Sequence, residues 1–324
     1  FNAAGGATFS TPLGNTAAVG IALLGNGGMQ ESVVIQGNTI GSGDGINTFA
    51  RGIWLREIQA VIGGPLASQG NTITATTQDL LFGFPSDATG DPTAPTLIQN
   101  NTFLGAGVDI TEPNGNHVVE IRDNLFAPVS PLFAQSLMLK HSYATGAEIL
   151  VDGNTFTGHG NVGIYVGNSR NVTISNNSFE AAATSVDFAH VLVDTGYTTG
   201  GAFPAGPANN PVLDLTVLGN EFFGNGNPGQ GRAILLRHTN AEQTSGYSTI
   251  QLGQLGQENI FHGDLQYYVY LAAVGETFAF APLFGPGHSN MVGPFSWNIN
   301  ADQNFFEVTS GLIKPTAMTA GELD

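Results

Sequence analysis

The sequence predicts an all-β solenoid, a single chain wound into a hollow coil of short parallel strands with insertion loops on one side. Three observations predict it. An Asn is followed two residues later by Ile or Phe nine times, an apolar pair in period two precedes most copies, and the shortest repeat is 23 residues. The asparagines are Asn38, Asn71, Asn101, Asn124, Asn154, Asn177, Asn220, Asn259 and Asn304, and their partners are Ile40, Ile73, Phe103, Phe126, Phe156, Phe179, Phe222, Phe261 and Phe306. The preceding pairs, such as Val119 and Ile121 or Ile149 and Val151, alternate as a strand with one buried face does.

The spacing gives the stacking. Asn101 to Asn124 and Asn154 to Asn177 are each 23 residues, close to the shortest lap of such a coil, and the longer intervals read as the same lap carrying insertions. Each lap supplies the crossover that parallel strands need, and copies then lie about 4.8 Å apart. Asn suits the left-handed bend between two strands, and its amide can bond to the Asn above and below, so the nine asparagines predict a structural ladder. The Ile or Phe points inward, which predicts a stack of seven phenylalanines, and 45 glycines serve the tight bends.

Through the repeat Val172-Thr173-Ile174-Ser175-Asn176-Asn177-Ser178-Phe179 the chain resembles the right-handed parallel β-helix superfamily, the pectate-lyase-like proteins. The resemblance divides the chain into an N-terminal segment or first coil (1–30), a parallel β-helix (31–310) and a C-terminal tail (311–324). It implies architecture more than activity, because the superfamily holds lyases, hydrolases, epimerases, phage tailspikes, adhesins and passive surface proteins.

Composition narrows the partners. Eight Lys and Arg against 25 carboxylates give a net charge of −17, which excludes a phosphate-tracking surface and so nucleic acid and anionic membranes. The absence of cysteine excludes disulfides and thiolate metal sites and suits a protein exported by bacteria, placed outside the cell or on its surface. No apolar stretch approaches a membrane span. The chain opens at Phe1 and reads as a processed or excised segment. No cofactor is expected and no metal ligands are assigned, although such an acidic surface could bind divalent cations diffusely, calcium among them.

A second strand recurs in each lap, as in Ile53-Trp54-Leu55-Arg56, Ile164-Tyr165-Val166-Gly167 and Ile234-Leu235-Leu236-Arg237. Its outward positions form two stripes: Arg56, Thr111, Lys140, Gly167, Asp194 and Arg237 in one, Trp54, Asp109, Met138, Tyr165, Leu192 and Leu235 in the other. Insertions at 57–65, 195–210, 239–248 and 273–294 should leave at one corner and wall a cleft beside these stripes. Lys140, Tyr165, Asp194 and Arg237 are therefore the candidate carbohydrate-binding residues, with His141, His190 and His238 nearby in sequence.

No catalytic residue is assigned. The superfamily's lyases remove a proton alpha to a carboxylate with a Lys or Arg base, and Lys140 or Arg237 is the available cation. Gly158-His159-Gly160 resembles one element of the polygalacturonase pattern, but its matching carboxylates are missing and His159 reads as a loop residue. Asp109 and Asp194 fall three laps apart, roughly 14 Å, whereas glycosidase pairs need about 5 to 9.5 Å. Trp54, Tyr165, Tyr267, Tyr268 and Tyr270 offer ring faces to sugars.

No helical cap is evident at either end, and bare ends favour contact with more of the same chain. The sequence thus reads as an extracellular structural or surface protein, a β-helix unit of a filament, sheath, surface layer or adhesin. It would contact copies of itself or other surface proteins through the coil ends, with polysaccharide as a further partner. The alternative is a polysaccharide-active enzyme, a lyase or glycoside hydrolase, or a carbohydrate-binding protein.

Overall fold

The computed structural model describes residues 8–10, 16–24, 32–41, 49–56, 58–83, 95–111, 118–130, 135–140, 147–167, 169–195, 213–238, 247–263, 265–272, 296–300, 304–308 and 311–313. Within them the chain is a parallel β-helix of three sheets, and the only helical element is the short 3₁₀ turn Ala67–Gln69. Sheet 1 begins with Thr8–Ser10 and runs from Thr16–Leu24 to Leu265–Leu271. Sheet 2 runs from Ser32–Ile35 to Ser296–Asn300, and sheet 3 from Thr39–Ile40 to Asn304–Val308, followed by Gly311–Ile313. Each lap visits the sheets in that order. Successive laps pair in register, as Ile149, Val151 and Phe156 do with Val172, Ile174 and Phe179.

The bend from sheet 2 into sheet 3 holds the asparagine ladder. Asn124 donates its backbone N–H and its Nδ2 to Oδ1 of Asn154, both at 2.9 Å, and Asn154 does the same to Asn177 at 2.8 and 2.9 Å. The second Nδ2 hydrogen reaches a carbonyl of the preceding lap, Ile98 O for Asn124 and Ile121 O for Asn154. Side-chain amides link Asn38 through to Asn304, every one donating toward the C-terminal end. At six of the bends the left-handed residue is not the ladder Asn but the one before it, whereas Gly70, before Asn71, is extended with φ −63°. Gly37, Asn100, Asp123, Gly153, Asn176 and Gly219 all have φ between 53° and 67°, a conformation open to Gly and tolerated by Asn and Asp. The ladder Asn keeps ordinary backbone and supplies the amide.

Two residues on, the inward side chains fill the core. Phe103, Phe126, Phe156, Phe179, Phe222 and Phe261 are buried and stack with centroids 4.5 to 5.1 Å apart. The seventh expected member, Phe306, has its side chain outside the described residues. Close approach from sheet 1 requires a missing Cβ: one added at Gly52 would lie 2.4 Å from Cγ2 of Ile73.

The ends are not plain stacks. Thr8–Ser10 pairs antiparallel with Thr16–Leu24 at the first edge of sheet 1, and Gly311–Ile313 pairs antiparallel with Asn304–Val308 at the last edge of sheet 3. Thr16–Leu24 already belongs to the coil, in parallel register with Phe49–Arg56. The 57–65 segment, expected as an insertion, contains the sheet 2 strand Gln59–Gly63. The expected insertions at 195–210, 239–248 and 273–294 lie almost wholly outside the described residues.

Candidate functional site

Sheet 1 turns one face to the core and the other outward, and its register aligns the outward side chains in columns. Thr111, Lys140, Gly167, Asp194 and Arg237 are successive neighbours, as are Asp109, Met138, Tyr165, Leu192 and Leu235. This outward face is not an open stripe. Met138, Val162, Tyr165, Ala189, Leu192 and Leu235 form a second apolar cluster, separate from the core and buried, with Tyr270 and Ala272 packed against it.

The four candidate residues fall into two groups. Tyr165, Asp194 and Arg237 come together and are 0, 1 and 1% exposed, which corrects the expectation of an accessible binding stripe. Arg237 holds Asp194 with Nε and Nη2 at 3.0 and 2.9 Å, and the Tyr165 hydroxyl donates to the same Asp194 Oδ2 at 3.3 Å. Gly167 makes room for this: a Cβ there would lie 2.6 Å from Cε1 of Tyr165, whose ring leans over it toward the next lap. A buried ion pair so enclosed specifies packing, since removing either partner strands a charge.

Lys140 belongs to another network. Its Nζ reaches Asp109 Oδ2 at 3.1 Å, Gln78 Nε2 donates to the same oxygen at 3.1 Å, and Thr111 donates to Oδ1. Gln78 in turn accepts from Arg51 Nε at 2.9 Å, and the Arg51 guanidinium lies 5.3 Å from the centre of the half-exposed Trp54 ring. Burial lowers the Arg51 pKa, while the charge of Asp109 opposes that shift. At the other end of the sheet Arg232 pairs with Asp187 and sits 5.2 Å from the Tyr270 ring centre, with the half-exposed Tyr267 ring tilted against Tyr270 at 4.5 Å. Of the remaining aromatic candidates, Tyr268 turns inward against Phe261.

Three buried titratable groups escaped sequence reasoning or were misplaced by it. Asp79 is fully buried and accepts from the backbone N–H groups of Ala75, Gly105 and Gly107. Burial raises its pKa to about 7 against the pull of those three donors. His159 is not a loop residue: it closes the strand Thr155–His159, buried, with its Nε2 3.0 Å from Nδ1 of the equally buried His190. His190 is thus an interior residue rather than a neighbour of the outer stripe, and its Nε2 meets Phe223 O at 2.6 Å. His141 and the side chain of His238 lie outside the described residues. Among the described residues no three His, Asp or Glu side chains assemble into a metal-binding group. No described helix is long and apolar enough to cross a membrane.

A family model described as "Right handed beta helix region" matches residues 88–251, just over half of the chain. The chain belongs to that family of right-handed β-helices. No curated protein matches it. Among solved structures it is similar to tailspike protein mutants of E. coli bacteriophage HK620. One, in complex with a pentasaccharide, is 16% identical with a TM-score of 0.30 over 87% of this chain and 57% of the tailspike. A second, also with a pentasaccharide, is 16% identical with a TM-score of 0.32 over 90% and 59%. The chain spans less than two thirds of the length of these tailspikes.

Proposed function

We propose that this β-helix is a non-catalytic structural unit of an extracellular or cell-surface assembly, of bacterial origin. The observation that carries the reading is the closed outer face of sheet 1. The side chains best suited to chemistry, Tyr165, Asp194 and Arg237, are buried and bound to one another. Lys140 is tied to Asp109 rather than poised as a base. The ladder and the phenylalanine stack make a stiff rod, and the sheet edges at Ser32–Ile35, Thr39–Ile40, Leu265–Leu271 and Ser296–Asn300 are where copies or other surface proteins would add. Electron microscopy of the protein from its native source tests this. Filaments, sheaths or a lattice are expected, whereas dispersed particles that depolymerise a polysaccharide, with the activity lost in Lys140→Ala, would overturn it.

A second reading, a carbohydrate-binding surface, is favoured by one observation. Half-exposed rings sit beside arginines at both ends of the outer face, Trp54 with Arg51 and Tyr267 and Tyr270 with Arg232. Such pairs offer a ring face to a pyranose and donors to its hydroxyls. Glycan-array binding that falls at least about tenfold in Trp54→Ala or Tyr267→Ala would support it. Binding unchanged in both variants would remove it.

A further inference from the structure

We infer that the His159–His190 pair is an acid-sensitive latch that holds the turn 182–188 closed over the coil at neutral pH and releases it on protonation. The hydrogen-bond chain fixes the tautomers. The Phe223 carbonyl can only accept, so His190 carries its proton on Nε2 and leaves Nδ1 as an acceptor; His159 must then donate from its own Nε2. The remaining nitrogen, Nδ1 of His159, is buried and has no hydrogen-bond partner among the described residues. It is the one basic site of the pair still free to take a proton.

A proton there makes a buried imidazolium with no counter-charge in contact. The rings around the pair are Phe179, Phe188 and Phe222. Every other charged or titratable group on the elements packed about it faces elsewhere. Glu180 and Glu221 are exposed on their strands, Asp187 and Arg232 pair with each other, and His262 stacks on Phe223. Burial accordingly holds His190 down to about 3 and His159 well below its ordinary 6.5, with the neighbouring His190 adding to the effect.

The element that must yield is the turn. His159 O accepts from Ala182 N–H at 3.0 Å and from the Ser185 hydroxyl at 3.4 Å, and Phe188 covers both imidazoles. Asn225 Nδ2 straps the turn through the carbonyls of Ala182 and Ser185, and Asn227 Nδ2 through that of Ala183. Opening it brings solvent to Nδ1 of His159. The open form therefore titrates as an ordinary histidine, and acid favours it.

Backbone amide exchange on the full chain tests this between pH 7.5 and 4.5. With protection corrected for intrinsic exchange, Ala182, Ser185 and Ala189 should lose about fiftyfold between pH 6.5 and 4.5, the linkage expected for one proton taken up on opening. Thr155 and Ser178, which donate along the ladder bend, should keep their protection, and His159→Gln should abolish the loss. Constant protection down to pH 4.5, or the same loss in His159→Gln, would overturn the latch. If that variant does not fold, imidazole ¹⁵N shifts of the parent protein decide. Proton uptake at His159 must coincide with loss of protection at Ala182, and uptake without that loss refutes the proposal.

Discussion

Asn154 does four things with one side chain. Its Oδ1 accepts two hydrogen bonds from Asn124, and its Nδ2 donates to Asn177 and to the Ile121 carbonyl, all in a site 1% exposed. Asn154→Ala leaves these partners buried without it, and urea denaturation should show a loss of about 3 kcal/mol. A second residue-scale test concerns Asp194 and Arg237. Arg237→Met should cost about 3 to 5 kcal/mol because it strands a buried carboxylate, whereas the double variant Asp194→Leu, Arg237→Met should recover most of that loss. If the double variant is as unstable as the single one, the charge is not the reason these residues are paired.

A strand of sheet 1 is shaped as much by its neighbours as by its own alternation. In Val162–Gly167 the ring of Tyr165 occupies the space above Gly167, so Gly167→Ala should cost about 1 to 3 kcal/mol. In a Tyr165→Ala background the same substitution should cost less than about 0.5 kcal/mol, read as a double-mutant cycle by thermal unfolding. This strand also marks where sequence reasoning stops. The recurrence of Asn177 and Phe179 in phase with Val172 and Ile174 announces the ladder, the stack and the strand faces, because each repeats a chemical demand in every lap. Alternation tells which side of Ile164-Tyr165-Val166 faces the core, but it is silent on whether the other side is covered. Hence Tyr165, Asp194 and Arg237 read as exposed and are buried. The left-handed bend was misplaced by one residue because Gly, Asn and Asp share that position, and no single letter recurs there. His159 between two glycines has the look of a turn, and only the register with the next lap shows that it points inward.

Across the whole molecule the buried titratable groups set opposing pH dependences. Asp79 is raised to about 7 from an ordinary 3.8, so the folded chain holds a proton that the unfolded chain has released. That contribution is complete below 3.8 and is lost as pH rises through about 7. The histidines act the other way. The unfolded chain takes up two protons below 6.5 that the folded pair refuses, so their contribution is present above 6.5 and is lost as pH falls. From about pH 4 to 6 these groups together should make stability climb with pH by roughly one proton, on the order of 1 kcal/mol per unit. Asp79→Asn should steepen the climb by one proton. Replacing both histidines by Gln should shift the slope by two and make this contribution fall. Denaturant titrations at several pH values separate the cases, and slopes unchanged in both variants would show that these groups are not responsible.

The asparagine ladder has one more consequence, and it concerns direction. Because every amide-to-amide bond of the ladder runs toward the C-terminal end, each lap presents its Asn Oδ1 to the lap before and an Nδ2 hydrogen to the Asn of the lap after. The coil therefore carries a chemical arrow. A duplicated lap inserted in the same sense joins the series without new chemistry, and an inverted one would set oxygen against oxygen. Such a protein can grow longer by copying its own turns, in one orientation only.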